Sequence, residues 1–161
     1  MTEADPKRQL CAALGRVASG LFVLTARRGE TETGMLVSWV QQCSFEPPQV
    51  TLAIKRDREI LDWLTPGLLF TLNILDDTQT DMIVHFGRGF GLNQPAFEGL
   101  SVTRGQSNGP ILEEALAFLT CRVNSRHSAG DHDLFIAEVV AGGILGEGHP
   151  MVHLRKSGAH Y

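Results

Sequence analysis

Lys55-Arg56-Asp57-Arg58 puts three cations into four residues. That spacing suits a phosphate, because charge-assisted hydrogen bonds to phosphate are among the strong ones. The same composition also describes a solvated turn. Ser38 and Ser44 offer hydroxyl donors upstream, and Gly130-Asp131-His132 carries a histidine beside a glycine downstream. No Gly-x-Ser-x-Gly elbow, Gly-Lys-Ser/Thr phosphate loop or His-Glu-x-x-His pair occurs. His149 and His153 are four apart, but Pro150 lies between them and the segment reads as extended. Both rings are therefore not expected to face one ion, and no metal site is expected. Asp76-Asp77 and Glu113-Glu114 read as solvated charge at turns. A polar strand end, a basic cluster and a histidine at a turn suit a bound cofactor better than a side-chain nucleophile.

The strand end in question is Gly34 to Pro48. Met35, Val37 and Trp39 share one face by the period of two, and Leu36, Ser38, Val40 and Gln42 share the other. The stretch drifts from apolar to polar and is expected to stop at Pro47-Pro48, where a ladder cannot continue. It reads either as an ordinary amphipathic strand or as one whose backbone N–H groups, along Met35 to Val40, face the polar edge of a ring. Gly87-Arg88-Gly89-Phe90-Gly91-Leu92-Asn93-Gln94-Pro95 follows a helix rather than a strand, the wrong context for a dinucleotide fingerprint. A loop lying over a ligand is the better reading.

The surrounding elements follow from periodicity. Asp5 and Pro6 open a helix whose Leu10, Ala13, Leu14 and Val17 form one stripe. Leu21 to Ala26 is a strand, and a charged turn around Gly29 makes it a hairpin with the stretch beginning at Gly34. Val50 to Ile54 is a third strand. Asp57 is expected to cap a short helix carrying Ile60, Leu61 and Leu64, which Thr65-Pro66-Gly67 stops. Leu68 to Leu75 is a strong strand, and Thr78 is expected to cap a helix with Met82, Ile83 and Phe86 on one face. Leu100 to Val102 is a short strand. Ala115 to Val123 and Phe135 to Ile144 are longer strands, joined by a connection from Asn124 to Asp133, with a bulge expected at Gly142-Gly143. Met151 to Leu154 is an edge candidate. Strands and helices do not alternate regularly, so the fold expected is mainly β, a mostly antiparallel barrel or sandwich with peripheral short helices.

Composition bounds the rest. The chain has 161 residues, a net charge of −4, 43% hydrophobic and 20% charged residues. One domain over residues 1–161 is expected. The acidic balance argues against nucleic acid or an anionic membrane as main partner. The charged start, Met1 to Arg8, carries no apolar signal core, so a reducing cytoplasm is expected, with Cys11, Cys43 and Cys121 as free thiols.

Several pieces, taken in order, resemble the flavin reductase-like family of FMN-binding split barrels. They are Ser19-Gly20-Leu21-Phe22-Val23-Leu24-Thr25, Gly34-Met35-x-Val37-Ser38, Ser44-Phe45-Glu46-Pro47-Pro48, Phe70-Thr71-Leu72-Asn73-Ile74-Leu75 and Gly130-Asp131-His132. Met35 to Val40, with Trp39 where most members carry a small polar residue, and the ending Arg155 to Tyr161 are similar to the C-terminal flavin reductase module of cyanobacterial flavodiiron proteins. The resemblance implies a split β-barrel, an FMN (or FAD) ring held along Met35, Leu36, Val37, Ser38 and Trp39, and its phosphate near Ser44, Lys55 and Arg58. It implies a nicotinamide, from NADH or NADPH, near Gly130 and His132, with His132 orienting a ring or stabilising charge, and Phe90 in the loop over the ligand. An NAD(P)H-dependent flavin reductase follows, as a homodimer, with flavodiiron-type domains as possible partners; a flavin-binding electron relay is the alternative. Trp39 either stacks on the ring, closes the nicotinamide side or fills core. Leu36 stands where Thr is common in the family, which removes one hydrogen bond to the flavin.

Overall fold

The computed structural model describes residues 5–105 and 109–160; residues 1–4, 106–108 and 161 lie outside it, and with them Met1 to Ala4 and Tyr161 of the two terminal motifs. Helix α1 (Pro6–Leu14) begins as expected, with the Asp5 carboxylate accepting from the Lys7 amide and Pro6 in the first turn. Its apolar stripe does not enter the core. Leu10, Leu14 and Val17 are 61%, 45% and 62% exposed, and the helix buries none of its residues. What holds α1 is the C-terminal segment, through Gly158 N–H donating to Cys11 O at 2.6 Å and Arg155 N–H to Gly15 O at 3.2 Å.

Strand β1 (Ser19–Gly20) leads into β2 (Phe22–Arg28), which turns at Gly29 (φ +61°) into β3 (Thr31–Val37), the expected hairpin. The strand expected to run unbroken to the prolines instead stops at Val37 and restarts as β4 (Val40–Phe45). Only Pro47 lies in the turn; Pro48 opens β5 (Pro48–Lys55). Although β5 is flanked by strands on both sides, a proline is tolerated as the first residue of a strand, where no ladder donor is needed. A 3₁₀ turn over Glu59–Asp62 follows, with Arg58 rather than Asp57 at its cap position; Asp57 pairs instead with Lys55 and Arg58. Then come β6 (Leu69–Ile74) and α2 (Thr80–Gly87). Thr78 does not cap α2. Its amide and hydroxyl both donate to Asp76 Oδ1, at 3.0 and 2.6 Å, which fixes the turn before the helix.

The short strands β7 (Val102–Thr103) and β8 (Ile111–Leu112) pair with each other. Strands β9 (Ala117–Ala129) and β10 (His132–Ile144) are thirteen residues each and meet at a tight turn, so the connection expected from Asn124 to Asp133 is mostly ladder. The apolar signal fades after Val123 because that arm is largely exposed, while the backbone pairing continues. The register shifts fall between Ile136 and Ala137 and between Val139 and Ala141, ahead of the glycines where a bulge was expected. Gly142 and Gly143 remain paired, and a Cβ on either would crowd Leu119 or Phe118. Finally β11 (Val152–His153) pairs with β1.

Seven strands form one antiparallel sheet in the order β3-β2-β6-β9-β10-β5-β4. Strands β3 and β4 sit at opposite edges yet are joined by only Ser38 and Trp39. Two residues can bridge the edges only if the sheet curls almost closed, and the barrel is therefore split between β3 and the β4–β5 pair. The interior is filled by Leu24, Leu52, Ile54, Phe70, Leu72 and Phe135; a second core outside it gathers Val23, Leu75, Met82, Phe86 and Phe97. Val23 and Leu24 are adjacent, point to opposite faces and are both fully buried, so β2 separates two cores. Among the described residues, no helix is long and apolar enough to cross a membrane.

Candidate functional site

The split in the barrel is a cleft. Met35, Leu36 and Val37 of β3 and the following Ser38 form one wall, and Ala53, Ile54 and Lys55 of β5 form the other. The end of α2 closes it with Ile83, Phe86 and Gly87, and Arg58 and Gly89 stand at the rim. Gly89 adopts φ +75° and runs close to the Arg58 guanidinium; a Cβ there would lie 3.3 Å from Nη1. The enclosed volume is about 210 Å³, continuous with an open mouth. Because β3 is an edge strand, no strand among the described residues pairs with it on the side away from β2, and alternate backbone groups point outward there. Apolar walls, an edge of backbone donors and acceptors, and two cations at one rim fit a flat heterocycle carrying an anionic tail.

A smaller cavity of about 170 Å³ adjoins the cleft, and Lys55 lines both. Trp39, Asp131, His132 and Arg155 form its walls with Gly158, Ala159 and His160. His132 is buried, its Nδ1 lying 2.7 Å from Asp131 Oδ1 and its ring centroid 4.6 Å from that of Trp39. The hydrogen bond to His132, aided by its charge and that of Lys55, holds the Asp131 carboxyl below its usual range. The Arg155 guanidinium lies 4.8 Å from the Trp39 ring centroid.

The structure thus gathers Met35, Leu36, Val37, Ser38, Lys55 and Arg58 around one cleft, and puts Trp39 and His132 in the adjoining cavity. Three other candidates line neither. Ser44 is on β4 opposite Gln49. Phe90 packs on His85 and Phe86 beside the second core. Gly130, at φ +63°, makes the β9–β10 turn. Arg56 also turns away, to the Asp133 carboxylate that Arg126 holds as well. Ala53, Ile83 and Arg155 were not singled out from spacing. The first two read as plain core residues, and an arginine in an extended tail has no periodic signal. Cys11, Cys43 and Cys121 are free thiols, and burial pushes the Cys121 thiol up to about 12. Among the described residues no three His, Cys, Asp or Glu side chains gather as a metal site would require.

The split antiparallel barrel is a fold that this chain shares with solved flavin reductases. The chain belongs to the family of flavin reductase-like domains, which it matches over residues 14–159. It is 38% identical to diflavin flavoprotein A 1 of Synechocystis over 92% of this chain and 26% of that protein. The resemblance to the flavodiiron flavin reductase module therefore holds, and the chain spans about a quarter of the length of the curated relatives it matches. Among solved structures, it superposes on the NADH:FAD oxidoreductase of Streptomyces globisporus with a TM-score of 0.83 at 24% identity, covering 97% of this chain and 93% of that one. The styrene monooxygenase flavin reductase of Pseudomonas putida S12 is 30% identical, with a TM-score of 0.74 over 89% of this chain and 90% of that one.

Proposed function

We propose that the chain is one flavin reductase-like domain, an NAD(P)H-dependent flavin oxidoreductase that binds FMN in the cleft between β3 and β5. The observation that carries this reading is the shared Lys55: a cleft suited to a phosphorylated ring opens directly beside a second cavity holding His132. Flavin, when bound, supplies a ring that takes a hydride, two electrons with one proton, from a reduced nicotinamide. Met35, Ile83 and Phe86 would exclude water from that ring. The backbone from Met35 to Ser38 would meet its polar edge. Lys55 and Arg58 would neutralise its phosphate. His132, held by Asp131 and packed on Trp39, would orient the donor ring; positioning of this kind governs hydride transfer. The reading includes a homodimer in a reducing cytoplasm.

A second reading is a flavin-binding relay module reduced by a protein. It is favoured by the length of the curated relatives, of which this chain spans about a quarter. Anaerobic mixing of the FMN-loaded protein with NADH or NADPH separates the two. Rapid loss of the oxidised flavin band supports the reductase. No loss with either nucleotide, together with reduction by a protein donor, defeats it in favour of the relay.

A further inference from the structure

The second cavity has a chemistry of its own. Arg155 and Lys55 bring two fixed positive charges to it, and His132 and His160 bring ring nitrogens. Asp131 is the carboxylate among its lining residues, with its side chain 80% exposed. Lys55 also pairs with Asp57 at 3.3 Å, and Asp57 does not line the cavity. The balance is cationic, in a concave site of about 170 Å³.

The wall that carries Arg155 follows β11, which is anchored by its pairing with β1. The Arg155 amide donates to Gly15 O, and Gly158 N–H donates to Cys11 O, so the tail is tied to α1 at two points. Gly15 and Gly158 allow this approach by lacking a Cβ. One added at Gly15 would sit 2.6 Å from Arg155 O, and one at Gly158 would run into the Leu14 side chain. A segment held this closely is a wall rather than a lid. The guanidinium lies 4.8 Å from the Trp39 ring centroid, and its planar fork of donors suits phosphate oxygens taken in pairs.

We propose that this cavity is a diphosphate subsite: it takes the pyrophosphate bridge of the dinucleotide hydride donor between Arg155 and Lys55, with Trp39 setting the plane of the guanidinium. The inference rests on the reading that a nicotinamide donor meets a flavin in the adjoining cleft. Phosphate chemistry can reach the cavity from two sources, the donor's diphosphate and the flavin's own phosphate, and the test separates them.

The FMN-loaded protein is reduced anaerobically by NADH and, in parallel, by reduced nicotinamide riboside, which carries no phosphate. Arg155→Gln is expected to raise KM for NADH by about tenfold or more, the scale of a lost charged hydrogen bond. The penalty on the riboside is expected to be at least several times smaller. Arg155→Lys, which keeps the charge, is expected to recover part of the loss for NADH. Equal penalties on both donors, the pattern of a merely perturbed fold, overturn the subsite. So does faster reduction by both donors, which would make the tail a lid. Loss of affinity for FMN but not for riboflavin in Arg155→Gln also overturns it, by giving the cations to the flavin phosphate. If the unaltered protein is reduced by none of NADH, NADPH and the riboside, the reductase reading itself fails and the subsite falls with it; if NADPH alone among the dinucleotides reduces it, NADPH replaces NADH in every arm.

Discussion

The rings of Trp39 and His132 lie 4.6 Å apart, tilted by 40°, although 93 positions separate them in the chain. The crossing from β3 to β4 delivers Trp39, and the first residue of β10 delivers His132. Trp39 supports His132 from one direction while Asp131 binds its Nδ1. His132→Ala is therefore expected to slow reduction by NADH about tenfold or more through lost positioning. Flavin affinity should stay nearly unchanged, because His132 does not line the cleft. Stopped-flow reduction and FMN titration measure the two effects. A kinetically silent His132→Ala would remove this turn from the mechanism.

The rim cations make a separate prediction. Lys55 and Arg58 line the cleft, whereas Ser44 sits on β4 and lines neither cavity. Arg58→Ala should weaken FMN by about 10- to 100-fold, the range for a hydrogen bond to a charged group, and should barely affect riboflavin. Ser44→Ala is the informative companion. A loss as large as that from Arg58→Ala would bring the phosphate within reach of β4 as well, as the family resemblance implies in placing it near Ser44, Lys55 and Arg58. Fluorescence titration of both flavins against both variants reads the difference.

Much of the fold is legible because its strands are amphipathic or fully apolar. The β2–β3 hairpin, β5 and β6 follow from period-two patterns and the turn at Gly29. The break at Ser38–Trp39 is not legible. Nothing local distinguishes a strand that continues from one that crosses to the far edge of a curled sheet, since the cause is closure of the barrel. The arm of β9 beyond Val123 was missed for a related reason: its pairing with β10 persists although its own side chains are largely exposed. The outward stripe on α1 shows the limit of periodicity, which finds an apolar face but not what covers it. In the site, the Met35–Ser38 wall and the Lys55 and Arg58 rim were readable as a strand and a charge cluster. Arg155 was not, because its place depends on how the tail packs against Gly15 and Trp39.

Asn73, the polar residue inside the strongest strand, is a structural fastener. It is fully buried, its amide donating to Val23 O at 3.2 Å and lying 3.4 Å from both Thr25 Oγ1 and Pro110 O. Its Oδ1 accepts from the Leu112 amide at 2.8 Å, so it pins the β8 segment onto β2 and β6. Asn73→Ala leaves the buried Leu112 amide without this acceptor and removes the side-chain bond to Val23 O, at an expected cost of about 2–3 kcal/mol. Urea unfolding is the measurement. A variant as stable as the parent would mean that water or relaxation replaces these bonds.

Asp133 gives the fold an acid limit. Its side chain is only 9% exposed and receives Arg126 at 2.5 and 2.9 Å and Arg56 at 3.0 Å. The Arg126 bond above all, with Arg56 adding to it, holds its carboxyl below the ordinary 3.8. The unfolded chain keeps the ordinary value, so the contribution is fully present above it. As pH falls below that value toward the depressed folded one, the unfolded state takes up the proton first, and the contribution is lost. Asp133→Asn removes the charge and leaves Arg56 and Arg126 facing a neutral amide. The variant should therefore be less stable than the parent at neutral pH, with the gap narrowing as the solution is acidified through this window. Denaturant midpoints of both proteins across stepped acid pH values test the point. A gap that stays constant, or widens on acidification, would show that the two arginines do not depend on the ionised carboxylate.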